Sequence, residues 1–298
     1  MGISKRIILF VLTNIAVLLL ISIIFSVFGI GDYISEDGIV LLPLLILSAI
    51  IGFGGAIISL LLSKWMAKFA YGVSIIKQPS HPVEKMLSDK VKSLAGKLKI
   101  GTPEIGIYNS PELNAFATGW NKNNSLVAVS TGLLESMDED ELEGVLGHEM
   151  AHVANGDMVT MALIQGVVNT FVVFFARIAA FAVSQFISDD EGEGFLDQLV
   201  YIAIVIVFQI FFGILASPIV MWFSRYREFH ADKDSSALVG KEKMIKALRK
   251  LKSEYDHMKS KNTEPALATM QISNRSAFME LFSSHPPLEK RIKALEKV

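Results

Sequence analysis

The sequence lacks cysteine altogether over its 298 residues. This absence excludes disulfide bonds, cysteine-ligated metal sites and a cysteine nucleophile. It fits a reducing compartment without establishing one, because many exported bacterial proteins also lack cysteine. Charged residues are scarce as well, at 19% of the chain against 51% hydrophobic residues. The net charge of −2 provides no basic field, so we expect no nucleic-acid partner.

Long stretches without charge indicate a multi-span membrane protein. Each apolar segment is long enough to cross a hydrocarbon core about 30 Å thick, and the four segments are residues 7–30, 39–63, 158–187 and 199–223. The first segment follows Lys5 and Arg6 but is too long for the core of a signal peptide, so we interpret it as a retained span. The predicted parts are a transmembrane hairpin (1–63), a polar part (64–157), a second hairpin (158–223) and a polar tail (224–298).

The connections between these segments predict the orientation. Neither the loop 31–38 nor the loop 188–198 contains lysine or arginine. Nearly all of the basic residues lie at the N-terminus, in the block 64–122 and in the tail from Arg225 onward. By the positive-inside rule both termini and the polar parts face the cytoplasm. Arg177, within the third segment, is either a functional intramembrane charge or a side chain that reaches toward the acidic outer loop.

The polar middle part has an α+β pattern. A polar helix is predicted over 82–99, and short apolar runs predict strands at 103–108, 114–119 and 125–130. We expect them to form a small antiparallel sheet. A further helix is predicted to begin near Ser136 or Asp138, where acidic residues favour a helix N-terminus.

The chemistry-bearing motif is His-Glu-Met-Ala-His at 148–152. Because histidines four residues apart share a helix face, His148 and His152 are within reach of one metal ion. Zinc lowers the pKa of a bound water toward about 7, and Glu149 is placed to take its proton and pass it to a leaving amine. The simpler alternative is an exposed histidine pair on an amphipathic helix.

A third ligand is predicted from the segment "SRYREFHADKDSS" at 224–236. Glu228 and Asp232 lie one helical turn apart on the same face. Glu228 supplies the carboxylate that a His2Glu zinc site needs, and Asp232 is placed to orient a ligand imidazole. The alternative is an ion-pair network of these acids with Arg225 and Arg227 on a solvated helix face.

The motifs "HEMAHVANGD", "SRYREFHAD" and "SSHPPLEKRI", in this order, resemble the HtpX family of bacterial membrane zinc endopeptidases, relatives of the proteases that process prenylated CaaX proteins. The resemblance covers essentially the whole chain. It implies a mainly α membrane protein with four transmembrane helices and a cytoplasmic zincin-like α+β metalloprotease domain.

By this resemblance the metal ligands are His148, His152 and Glu228, with one Zn²⁺ per chain, and Glu149 is the catalytic acid and base. Asp232 matches the aspartate that supports the ligands. His285 and Arg291 match groups that approach the metal-bound substrate, where they would stabilise the oxyanion. Read without the family, His285 before two prolines is a turn and helix-start feature.

The predicted strand 114–119 is a candidate for substrate binding. An extended peptide pairs readily with a strand edge, so Asn114, Ala115 and Phe116 are expected to hold substrate backbone near the metal. The alternative is an ordinary sheet strand.

The resemblance further implies a stress-response protease in the bacterial cytoplasmic (inner) membrane. Its substrates would be misfolded or damaged membrane proteins and unfolded polypeptides, its surroundings the lipid bilayer, and its functional partners other membrane quality-control proteases. Self-cleavage is possible by the same resemblance. Two rivals from other classes are a transporter or channel with a regulatory metal site and a catalytically silent membrane scaffold stabilised by metal.

Overall fold

The structure is a computed structural model that describes residues 34–35, 38–187, 195–262 and 283–297. By internal contacts the chain divides into two units, one within residues 60–160 and 221–298 and the other within residues 2–59 and 161–220. The predicted first span, 7–30, lies outside the described residues.

The described chain contains eight helices and six strands. The helices are α1 (Leu41–Tyr71), α2 (Pro82–Leu98), α3 (Thr131–Ser136), α4 (Glu139–Asn155), α5 (Asp157–Ile187), α6 (Phe195–Val239), α7 (Lys241–Asn262) and α8 (Leu288–Glu296). The strands are β1 (Ile34–Ser35), β2 (Gly38–Ile39), β3 (Ser74–Ile75), β4 (Glu104–Tyr108), β5 (Ala115–Asn121) and β6 (Asn124–Ser130).

Three of the described helices are long and apolar enough to cross a membrane: α1, α5 and α6. They correspond to the second, third and fourth predicted segments. Most of their apolar side chains are not covered by protein, which is the pattern expected where lipid supplies the solvent. The helix predicted after the fourth segment is the continuation of α6, which runs without a break to Val239.

The unit that holds residues 60–160 and 221–298 contains a four-stranded sheet in the order β3-β4-β6-β5. The prediction of an antiparallel sheet is wrong in one respect, because β4 and β6 are parallel, with Ile105 opposite Val127. β6 is buried on both faces along most of its length, as expected of a central strand. The chain must therefore leave β4, form the edge strand β5 and return through the turn at Asn121–Asn124 to fill the position between them.

The core of this unit lies between the sheet and the helices. Buried side chains of α2, α4 and β6 meet there, including Leu87, Val91, Val129 and Leu146. On the other sheet face the rings of Tyr71, Tyr108 and Phe116 pack together at centroid distances of 5.0–5.6 Å. The packing on the first face, where Leu146 lies in the core, holds α4 with its HExxH motif against the sheet.

In the unit that holds residues 2–59 and 161–220, α1 and α5 approach each other at glycines. A Cβ atom placed on Gly52 would lie 2.6 Å from the backbone nitrogen of Thr170 and 2.7 Å from the carbonyl oxygen of Gly166. Only the absence of a side chain permits this backbone contact, a common device for packing helices in lipid. Leu44 and Leu47 are buried beside Phe174 in the same unit.

Candidate metal centre

Helix α4 presents the HExxH motif in a well-defined frame. Its N-cap is Asp138, whose carboxylate accepts hydrogen bonds from the backbone of Asp140 and Glu141, while the Glu141 side chain accepts from the Asp138 N–H. It ends at Gly156, whose left-handed backbone (φ 68°) caps the last turn. The start agrees with the sequence prediction, and the glycine lets the chain turn directly into α5.

The structure brings the three predicted metal ligands together. The Nε2 atoms of His148 and His152 are 3.1 Å apart. Nε2 of His148 lies 3.5 Å from Oε2 of Glu228, and Nε2 of His152 lies 3.3 Å from Oε1. Tetrahedral zinc with bonds of about 2.0–2.1 Å spaces its ligand atoms about 3.3–3.4 Å apart. The three side chains are buried and form the candidate metal cluster of the described residues.

Glu228 supplies a direct test of whether a cation fits. Its side chain is 0% exposed, and neither carboxylate oxygen receives a hydrogen bond of regular geometry from the described residues. A buried carboxylate is costly unless positive charge compensates it, and Arg291, with Nη1 3.2 Å from Oε2, supplies part of that compensation, while both carboxylate oxygens still face the imidazole Nε2 atoms. The donor set of two imidazoles and one carboxylate is also one that zinc prefers. The alternative of a solvated Glu228 in an arginine network is wrong, because the residue is fully buried.

The outer nitrogen of each histidine contacts an aspartate. Nδ1 of His148 lies 3.0 Å from Oδ1 of Asp232, and Nδ1 of His152 lies 2.5 Å from Oδ2 of Asp157. A carboxylate on Nδ1 fixes the ring orientation and keeps the proton there, which leaves the Nε2 lone pair directed at the metal. Asp232 was expected from the sequence, whereas Asp157, the first residue of α5, was not.

These contacts also set the protonation of His152. Burial disfavours the charged ring, but the hydrogen bond to Asp157, the ion pair with Glu228 and the nearby Glu149 outweigh it and raise the pKa of His152 to about 9. A metal ion that binds Nε2 of His152 therefore displaces a proton from the ring.

Two residues of the C-terminal segment reach the same cluster. Arg291, on α8, is buried and donates Nε and Nη2 to the two oxygens of Asp232 at 2.8 and 2.6 Å. Its Nη1 lies 3.2 Å from Oε2 of Glu228. His285 places Nδ1 2.8 Å from the same oxygen, but 61% of its side chain is exposed. The structure thus brings His285 and Arg291 to Glu228, where they differ in accessibility.

Glu149 lies between the two histidines in sequence and is half-buried. Its carboxylate is among the charges that raise the pKa of His152, so it lies near the cluster. Unlike Glu228, it forms no ion pair within the described part of the chain. A carboxylate that lies near a metal site and forms no ion pair is available for proton transfer.

Strand β5 is the edge of the sheet, paired with β6 alone among the described strands. The backbone of Asn114 is already engaged, since its carbonyl accepts from the N–H of Ser130. In the alternating antiparallel pattern this pairing directs the backbone groups of Ala115 and Ala117 toward the open edge. The Phe116 ring is packed against Tyr71 and Tyr108. Of the three residues predicted to bind substrate, Ala115 therefore offers its backbone, while the Phe116 side chain belongs to the core.

Comparison with known proteins places this geometry in a family. The pattern of Peptidase family M48 matches residues 82–298, which include every residue of the cluster. The chain belongs to peptidase family M48. This M48 chain is 53% identical over 295 residues to Protease HtpX of Tolumonas auensis, with 99% of each chain covered. It is 52% identical over 292 residues to Protease HtpX of Hydrogenovibrio crunogenus, covering 98% of this chain and 96% of the relative.

A solved structure shares the fold of this M48 chain. The crystal structure of S. mikatae Ste24p superposes with a TM-score of 0.65 at 17% sequence identity. The match covers 98% of this chain and 66% of that chain. The resemblance to the HtpX family inferred from three motifs is therefore confirmed. Family and apolar helices together describe a membrane metalloprotease.

Proposed function

We propose that this chain is an integral membrane zinc endopeptidase that hydrolyses peptide bonds at the cluster of His148, His152 and Glu228. One observation carries the proposal. The ligand atoms of three buried residues converge from α4 and α6, beside the carboxylate of Glu149, which forms no ion pair with the described residues. Two of these ligands and Glu149 come from one helical turn, so their relative positions follow from α4 itself.

One Zn²⁺ per chain fits the donor set. When bound, zinc supplies a Lewis acid that activates water and polarises the scissile carbonyl. Glu149 accepts the proton of the attacking water and returns it to the nitrogen of the leaving amine. Asp157 and Asp232 hold the two imidazoles in the orientation that binding requires.

The two residues of the C-terminal segment take separate roles in this proposal. His285 is exposed on one side and contacts Glu228 on the other, so it can approach a bound carbonyl and donate to the oxyanion. Arg291 is buried, and both of its bonds to Asp232 are short. It therefore acts first as a positioning residue that holds Asp232 against His148.

The substrate lies along the edge of β5 as an added strand. The backbone groups of Ala115 and Ala117 pair with it, and Asn114 lies where the strand begins. Main-chain pairing favours extended, unfolded segments over folded ones and makes few demands on substrate sequence. This supports misfolded or damaged membrane proteins and unfolded polypeptides as substrates.

The charge pattern, the apolar helices and the likeness to bacterial HtpX proteases support the proposed setting. Both termini and the site face the cytoplasm of a bacterium, and four spans hold the chain in the inner membrane. In that setting the protease serves stress-response quality control alongside other membrane proteases, and it can cleave copies of itself.

One comparison tests the function. Purified full-length chain and its Glu149→Gln variant are loaded with zinc and given an unfolded protein, with and without a chelator. We expect cleavage by the wild type alone and its loss in chelator. Equal cleavage by both proteins, or cleavage insensitive to the chelator, would overturn the protease assignment. Zinc retained by both proteins without any turnover would favour the metal-stabilised scaffold.

A further inference from the structure

A groove of about 490 Å³ lies between α2, β3 and the start of β4, away from the metal ligands. Apolar residues line part of it, among them Ile75 and the buried Pro103 and Ile105. Lys68, Lys77 and Lys92 line the same groove together with Glu104. Three lysines against one glutamate leave a net charge of +2 on the lining. A lining that is partly apolar and carries a net positive charge suits an amphiphilic anion.

Two of these cations are not neutralised by protein. Glu104 forms ion pairs with Lys64, at 2.8 Å, and with Lys68. Lys77 and Lys92 are exposed and form no ion pair with any of the residues whose placement is described. Glu104 is thus paired with the lysines of α1, while Lys77 and Lys92 remain available to a ligand.

The segment that supplies Lys68 is adjacent to a membrane span. Lys68 lies five residues beyond Ser63, the end of the apolar segment, in the same helix, a distance of about 7 Å along its axis. On either side of Lys68 in this helix, Trp65 and Phe69 stack at 5.8 Å with more than half of each residue exposed. Exposed aromatic rings beside lysines at the end of an apolar helix are typical of the headgroup level of a bilayer.

We propose that this groove binds the headgroup of an anionic phospholipid of the surrounding membrane, with the lipid phosphate held by Lys77 and Lys92. The apolar part of the lining contacts the glycerol and the first acyl carbons. A lysine near an anionic membrane surface contributes a favourable electrostatic interaction even when it is solvated, and two lysines converging on one phosphate concentrate it. Bound lipid ties β3, α2 and the end of α1 together.

The test measures lipid binding by the purified full-length chain in a neutral detergent. The melting temperature is followed while phosphatidylglycerol, or phosphatidylcholine with the same acyl chains, is titrated. Inorganic phosphate is titrated separately. The test variant is Lys77→Gln/Lys92→Gln. The matched control is Lys85→Gln/Lys97→Gln, which removes the same charge from exposed positions of α2 outside the groove.

We expect phosphatidylglycerol to raise the melting temperature of the wild type saturably and phosphatidylcholine to leave it unchanged. The Lys77/Lys92 variant should bind phosphatidylglycerol on the order of tenfold more weakly, and the control within twofold of the wild type. An equal response to phosphatidylcholine, or a saturable response to phosphate alone, would overturn the lipid assignment. Equal weakening in both double variants would show diffuse surface charge instead of a site, and an unresponsive wild type would show no site at all.

Discussion

At the scale of single residues, the centre is organised by two carboxylate–histidine pairs of different origin. Asp232 reaches His148 from α6 and is itself held by Arg291. Asp157 reaches His152 from the first position of α5, immediately after the glycine that ends α4. Each aspartate directs one imidazole, so the metal geometry depends on side chains that never touch the metal.

The role proposed for Asp157 predicts a loss of metal affinity. Asp157→Asn keeps the shape of the side chain but removes the charge that makes His152 a stronger ligand, so zinc affinity should fall roughly 10- to 100-fold. Competition with a chromogenic chelator measures it on the purified chain. The control is Asp234→Asn, an exposed aspartate that bonds Asn155 but no histidine. Unchanged affinity in Asp157→Asn would mean that the 2.5 Å contact is incidental.

At the scale of elements, α4 has glycines where neighbouring helices approach it. A Cβ atom on Gly144 would lie 2.7 Å from the backbone oxygen of Lys243, at the start of α7. One on Gly147 would meet the Ser235 hydroxyl of α6 at 2.6 Å. The close approach at Gly147 brings the helix that carries Glu228 against the helix that carries both histidines.

Substitution of these glycines should separate the helices. Gly144→Ala faces a backbone oxygen that cannot move aside, and we expect a loss of about 1–3 kcal/mol in stability. Gly147→Ala should cost less because a serine side chain can rotate away. Gly96→Ala on α2 is the matched control, since its Cβ meets nothing within 4 Å, and it should be neutral or stabilising. Melting temperatures in detergent compare the three, and equal effects would contradict this packing.

Helix α4 is also held by charge. Glu143 lies 3.2 Å from Lys90 of α2 and 3.0 Å from Lys243 of α7. Burial alone raises the pKa of Glu143, but the two lysines outweigh it and hold this pKa below the usual value of a glutamate. Because the folded pKa is lower than the unfolded one, the stabilisation is complete above pH 4.5 and is lost as the pH falls through the folded pKa.

Glu143→Gln should therefore destabilise the metal-free chain by about 1 kcal/mol at pH 7. Its melting temperature should converge with that of the wild type as the pH falls below 4.5. Glu139→Gln, one turn earlier and largely exposed, should have little effect at either pH. A Glu143→Gln deficit that persists at acid pH would rule out the ion pairs as its cause.

At the scale of the whole molecule, the residues of the metal centre could be predicted from the sequence more fully than the strand pairing of the sheet. His148 and His152 could be located because helical spacing alone places them on one face, whereas Glu228 also needed the second motif and the family resemblance. The parallel pairing of β4 with β6 could not be predicted, because a short strand carries no local signal for the strand with which it pairs. Asp157 was missed for a related reason: an aspartate at the start of an apolar segment indicates a membrane boundary, and only the turn at Gly156 directs it back to His152.

Orientation in the membrane is a prediction that the absence of cysteine makes easy to test. Ser35→Cys and Ser253→Cys each create a single thiol, one in a loop without basic residues and one in the polar tail. In cells from which the outer membrane has been removed, a membrane-impermeant maleimide should label the Ser35→Cys variant. It should label the Ser253→Cys variant only after the inner membrane is permeabilised. The opposite pattern would reverse the topology and place the metal centre outside the cytoplasm.

The central claim is that one metal ion, held by the buried triad, is what hydrolysis depends on. Zinc titrated back into the chelated full-length chain, with cleavage of an unfolded protein as the readout, tests it most directly. The account predicts no activity at the start, a linear rise that breaks at one equivalent per chain, and no recovery in Glu228→Gln. Activity in the zinc-free chain, or the same recovery in Glu228→Gln, would contradict it.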